Sequence, residues 1–385
     1  MQDRVSLYPG RVKLEPVAGQ VNTYDLTRAD QPTQEGTPLN KASLLKDSTA
    51  ALLGLPKTAV PDDAFVALVL GQGVYGYRVR VQLADGTPVE GATVSGIQPL
   101  TGSTLVTGAD GTVLGKSASA SVTIGCTSPY IDQKAPAAQT VTKTGTITDV
   151  TLTLENVTDM LTISSSKTAR ISSMAKRIDI FASGGGGGGA ATISSVSRIG
   201  SGGGGGGYAS NKLNEPISGY TDLKVIIGAG GIAGNSSNEN SGNGGKGGET
   251  TVSLNNITML TASGGFGATG NTPGEGNGRG GYGSENRYGE QGVAASVYVF
   301  NDSSIGIKTG GGGGSGGSGS ASPSNGGSPN GGKSGYVEQM QGYEMHYAGA
   351  AGGVGGGGGG DYYGGSGGGA GGPGIVYLRF HFDAA

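Results

Sequence analysis

Apolar and polar positions alternate with a period of two in several stretches of the chain, the signature of strands. YRVRVQL (77–83), SASASVTIG (117–125) and ITDVTLTLE (147–155) read this way, as do RIDIFAS (177–183) and IVYLRFHF (375–382). In the last of these, Val376, Leu378, Phe380 and Phe382 share one face, and Ile375, Tyr377, Arg379 and His381 share the other. Asp-Gly pairs at 85–86 and 110–111 punctuate the first group as hairpin turns. Helical spacing is confined to the N-terminal part. A helix is expected from about Asn40, with Leu44, Leu45, Leu52 and Leu53 on its apolar face and Gly54 and Pro56 as its stop. A second is expected from Pro61, with Asp62 and Asp63 in its first turn. The fold class that follows is mainly β.

The pattern divides the chain into four zones. Residues 1–72 hold too little apolar content for an independent core and read as a segment that docks or oligomerises. Residues 73–156 read as a β-sandwich spacer, 157–182 as a β connector, and 183–385 as a glycine-rich tip. Most of the 83 glycines lie after residue 180. Residues 184–189, 202–207 and 355–360 are each six glycines, and 310–314 are five. Ordering glycine costs more backbone entropy than ordering any other residue, so one reading is a disordered tail. A flexible linker has no reason to repeat a run length, however. The other reading is a slab of packed polyglycine-II helices. Such helices have three residues per turn and no internal hydrogen bonds, and six residues span roughly 19 Å. Only glycine lets neighbours approach from every side.

Composition and charge then narrow the chemistry. A net charge of −3 argues against a nucleic-acid-binding surface. One cysteine, Cys126, allows neither an intrachain disulfide nor a thiolate metal cluster. No apolar run has the length of a membrane span, and the first residues, MQDRVSLYPG, lack a signal-peptide pattern. The protein is therefore expected to be made in the cytosol and to stay there or leave by another route such as cell lysis, without membrane insertion; no metal or cofactor is expected. GSPNGGKS (327–334) matches the P-loop pattern letter for letter, but lacks the buried strand before it and the helix after it that phosphate binding needs. GNGGKG (242–247) and GNGRGG (276–281) fail as dinucleotide motifs on the same grounds. His381 reads as an edge residue of the terminal strand. No Ser/His/Asp set has supporting context, so no enzyme is expected.

Binding residues are sought in the segments between glycine runs, because loops on a rigid scaffold carry recognition. Tyrosine offers contact area with a polar tip. The candidates are Tyr208, Tyr282, Arg287, Tyr288, Tyr343, Met345, His346, Tyr347, Tyr362 and Tyr363. Tyr220 and Tyr336 stand beside them. The competing reading is that these tyrosines cover the edges of the slab.

Three stretches carry resemblances. DGTPVEGATV followed by TGADGTVLG resembles the carboxypeptidase-regulatory-like, or transthyretin-like, sandwich domains, which imply a spacer or adhesive decoration. RIDIFASGGGGGG, LKVIIGAGG, GGKGGETTVSL and the terminal GGPGIVYLRF together resemble the glycine-rich distal domains of bacteriophage tail fibres and adhesins. YPGRVKLEPVAGQVNTYDLTRADQPTQEGTPLNKASLL resembles the attachment ends of tail fibres encoded by prophages of Gram-positive bacteria. These resemblances imply a homotrimeric virion protein. Its N-terminus would meet other tail or baseplate proteins, and its tip would bind a glycan or protein receptor on the bacterial surface. A purely structural tail-tip component and a tail depolymerase are the alternatives.

Overall fold

A computed structural model describes residues 45–191, apart from 54, 56, 71–73, 101–103 and 146, and residues 201–281, apart from 236–241 and 271. It also describes 291–295, 325–333 apart from 329, 347–361 and 367–382, together with 5–6, 12–18, 23–28, 32–34, 297–299, 306–308, 336–340 and 343–346. The fold is mainly β, in open sheets, with two short helices among the described residues. The chain divides into two units: Met1–Thr127 with Ala135–Leu154, and Ser128–Lys134 with Glu155–Ala385.

In the first unit, Tyr75–Gln82 sits inside a four-stranded sheet between Ile147–Thr153 and Thr112–Ser117. Its alternation buries Tyr77, Val79 and Val81 completely. The Ile147–Thr153 pairing is parallel, which adjacent hairpins cannot produce and which the turn pattern did not foretell. A three-stranded sheet of Gln139–Thr142, Ser121–Thr127 and Thr93–Ser95 lies in the same unit. Both Asp-Gly turns form, with Gly86 at φ 86° and Gly111 at φ 73°. The Asp110 carboxylate accepts hydrogen bonds from the hydroxyl and the N–H of Thr112, and these hold its pKa below the usual carboxylate value.

The helix expected from Asn40 is shorter than its pattern suggested. Residues 40–44 lie outside the described residues, and helix α1 spans Asp47–Leu52. Leu52 points to solvent, 88 % exposed, which corrects its place on an apolar face. A helix of six residues has room for one buried position, and Ala50 takes it. The small core is completed by Leu45, Leu55, Ala59 and Ala67. Helix α2 (Pro61–Leu70) starts where expected. Asp63 accepts from the N–H of Val60 at 2.9 Å and pairs with Arg78 at 2.8 Å, so one carboxylate both caps the helix and receives a sheet arginine.

The second unit begins as two four-stranded sheets. One runs in the order Leu161–Ile163, Ile375–His381, Arg177–Ser183, Ala209–Pro216; the other runs Lys167–Arg170, Asp222–Ile226, Thr250–Leu254, Ile257–Ala262. A single buried cluster draws on both, including Ile178, Ile180, Val376 and Leu378 from the first and Leu223, Val225, Val252 and Leu254 from the second. The terminal strand is thus interior. His381 is no edge residue: its register partner is Arg177, and its Nε2 lies 3.0 Å from the buried carboxylate of Asp179.

Six of these strands continue directly into glycine-rich runs, and there the period changes from two to three. Beyond Ser183, the N–H groups of Gly184, Gly187 and Ala190 donate to the carbonyls of Tyr208, Gly205 and Gly202. Those of Gly185, Gly188 and Ala191 donate to Gly248, Gly245 and Gly242, and those of Gly186 and Gly189 to Gly372 and Gly369. The carbonyls of the same run accept from three further segments. Gly265 and Ala268 donate to Gly185 and Gly188, Gly231 and Gly234 to Gly186 and Gly189, and Gly358 and Asp361 to Gly187 and Ala190. The run 184–191 therefore has six neighbours, and it returns to each every third residue. It donates to three antiparallel neighbours and accepts from three parallel ones.

The six neighbours also bond to one another in a closed ring. Gly205 donates to Phe266, Gly244 to Ala268, Gly245 to Ile232, Gly371 to Gly231, Gly372 to Gly356 and Gly204 to Gly358. A β carbon added at Gly186 would stand 2.0 Å from the carbonyl oxygen of Gly356, and one at Gly188 would stand 1.9 Å from that of Ile232. Backbone fills every direction around residues 184–189, so these six positions have no room for side chains. The three hexaglycine runs are mutual neighbours and are buried throughout. That explains their equal length: they are the innermost segments. The run 310–314 lies outside the described residues.

Candidate functional site

The packing of backbone against backbone dictates where this body can show side chains. On the ring segments 228–235, 242–249, 264–269 and 367–373 every third position is exposed, and the larger residues fall there. Ala229, Ile232 and Asn235 are exposed on one run, Asn243, Lys246 and Glu249 on the next, and Phe266 and Thr269 on the next. Ile232 is 75 % exposed. The signal is present in the sequence as GAGGIAGN, GNGGKGGE and SGGFGAT.

Where two such rows meet the end of the 202–207 run, they form an open depression of about 350 Å³. Tyr208, Ser210, Lys246, Thr261, Ser263 and Phe266 line it. Tyr208 is held at its backbone on both sides, its carbonyl accepting from Gly184 and its N–H donating to Ser263 at 2.9 Å. Its side chain is 36 % exposed, and Phe266 is 48 % exposed. Lys246 Nζ stands 5.0 Å from the centre of the Phe266 ring, a cation–π contact. Lys246 lies between two tethered residues: Gly245 donates to Ile232 at 2.8 Å and Gly247 to Gly265 at 2.9 Å.

Among the residues singled out from sequence, Tyr208 falls in this depression. Lys246 and Phe266, its partners there, were not among them. Tyr343, Met345, His346 and Tyr347 lie on a strand, Tyr343–Tyr347, which pairs with Tyr336–Met340 in register Tyr336↔Tyr347 and Met340↔Tyr343. That corrects the expectation of an irregular loop, and the alternate placement of Tyr343, Met345 and Tyr347 in YEMHY is its sequence trace. Tyr282, Arg287, Tyr288, Tyr362 and Tyr363 lie outside the described residues. Tyr220 is partly buried against the strand core, a structural covering role. The P-loop-like stretch is followed by the strand Tyr336–Met340 in place of a helix, and Gly332 donates to Gly357 within the packed runs. GNGGKG is one of the ring segments.

Tyr377 packs on Phe181 with ring centres 5.9 Å apart, and burial pushes its phenol pKa above the ordinary value of 10.0. It braces the strand end from which the last glycine run departs.

No curated protein matches the chain. A family model described as a glycine-rich domain matches residues 162–381, which takes in the two-sheet base and all the runs that grow from it, and the chain belongs to that glycine-rich domain family.

Proposed function

We propose that this protein is a bacteriophage tail fibre or adhesin that attaches the virion to the surface of its bacterial host. The observation that carries the reading is the 184–191 run with its six hydrogen-bonded neighbours. We read these runs as polyglycine-II helices, given the three-residue return to each neighbour. Such a body is stiff, and its side chains are presented only at fixed outward positions and at the turns between runs. That suits recognition by a scaffold that does no chemistry of its own. The resemblance of both chain ends to tail fibres supports the same reading.

In this reading residues 1–72 join other tail or baseplate proteins. The chain acts as a homotrimer, which would cover the exposed Leu52, Phe65 and Leu68 on the two short helices. Single-site binding to a glycan or protein receptor is weak, and several copies per virion supply avidity. The test is antibody raised against the full chain. Tail-tip labelling of virions in electron micrographs, with block of adsorption by the same antibody, is the expected result. Labelling without any block would favour a purely structural tail component. Virions that carry no label would overturn the proposal.

A further inference from the structure

We infer that the depression between Tyr208, Lys246 and Phe266 is a subsite for a carboxylated pyranose, a uronic acid residue of a surface glycan. The inference rests on the attachment reading for the source of the sugar, and on the depression alone for its chemistry. Three features converge. First, Tyr208 and Phe266 are exposed aromatic rings, and aromatic faces suit the apolar C–H face of a sugar ring. Second, Lys246 supplies a cation beside them. The ion pairs found among the described residues leave it out, so its ammonium is available to a carboxylate. The nearest acidic residue on its own run, Glu249, is three positions away, about 9 Å at the rise of a three-residue helix. Third, the hydroxyl-bearing Ser210, Thr261 and Ser263 line the rest of the wall, matching the ring hydroxyls of a saccharide. The volume of about 350 Å³ is at the small end of ligand pockets, which fits one terminal or branch sugar better than a chain.

The site is also built before any ligand arrives. Lys246 and Phe266 occupy outward positions of adjacent runs whose backbones are bonded on both sides. Little ordering remains to be done on binding, and preorganisation of this kind converts modest contacts into affinity.

The test uses the full chain and three small probes, methyl β-D-glucuronide, methyl β-D-glucoside and glycerol 1-phosphate, titrated by ligand-observed NMR. The glucuronide is expected to bind at least tenfold tighter than the glucoside. Lys246→Gln, an exposed position on a run whose backbone bonds do not need the side chain, should abolish that ratio while the melting temperature stays unchanged. Tyr208→Ala should weaken both sugars. Equal binding of glucuronide and glucoside, or an unchanged ratio in Lys246→Gln, overturns the subsite. So does glycerol 1-phosphate binding as tightly as the glucuronide, because a phosphate without a ring needs only the lysine. Virions labelled by the antibody, with no glucuronide preference, remove the subsite and leave the attachment reading. A glucuronide preference in a chain absent from virions does the reverse.

Discussion

Between Arg177 and Ser183 the chain is a strand. It bonds to two neighbouring strands, and Ile178 and Ile180 enter an apolar core shared by two sheets. From Gly184 the same chain bonds to six neighbours and places no side chain larger than a methyl among them. Residues 178–183 and the run that follows are both buried, yet they achieve burial by different means. A strand satisfies its backbone within the sheet and uses the two remaining directions for side chains. A three-residue screw points its backbone groups all around, so the remaining directions are taken by more backbone. A glycine-rich segment can therefore be an interior. What it needs is enough neighbours to use every N–H and C=O, and strands to hold its ends. Six of the seven runs in the centred ring adjoin strands; 355–361 adjoins none among the described residues.

The sharpest way to break the comparison is to add side chains where it says none fit. Gly188→Val, whose first carbon would meet the Ile232 carbonyl at 1.9 Å, should prevent folding of the glycine body. Gly186→Ala should cost about 3 kcal/mol or more, since backbone on every side cannot shift as a flexible side chain can. Both are read by thermal or denaturant unfolding. The counterpart in the strand base is a large-to-small change. Leu378→Ala should cost about 2–5 kcal/mol through the cavity it leaves. The two regions thus respond to opposite errors: one to added volume, the other to lost volume.

A smaller effect separates them by pH. The half-buried Tyr377 phenol has its folded pKa raised by desolvation above the unfolded value of 10.0. Its contribution to stability is therefore complete below about pH 10 and is lost as pH rises through the folded pKa. Melting temperature should fall on that alkaline side, and Tyr377→Phe should flatten the fall. The smallest effect is expected at the outward positions. Ile232→Ser removes a side chain that is 75 % exposed and should change stability by no more than about 0.5 kcal/mol.

Much of this organisation was legible in the residues. The alternation in IVYLRFHF puts Val376, Leu378 and Phe380 on one face, and all three are buried. The equal length of three glycine runs pointed to order, and those runs form the interior. Other features were hidden for physical reasons. The parallel pairing of Ile147–Thr153 with Tyr75–Gln82 joins segments far apart in sequence, and local patterning does not encode such partners. A helix of six residues has too few turns for an apolar face to be read reliably, and Leu52 was misassigned accordingly. The hairpin Tyr336–Tyr347 was obscured by its tyrosines, which invited a binding role before a strand role. The placement of Lys246 and Phe266 follows a period of three, which local sequence does not reveal until the neighbours of each glycine run are known.

The central claim is that the glycine runs are a hydrogen-bonded interior. Amide hydrogen exchange across residues 184–189 tests it most directly. Exchange should be slowed to the level of the flanking strand Arg177–Ser183, with both released together on global unfolding. Exchange of those glycines at the rate of an open chain, while the strand stays protected, would contradict it.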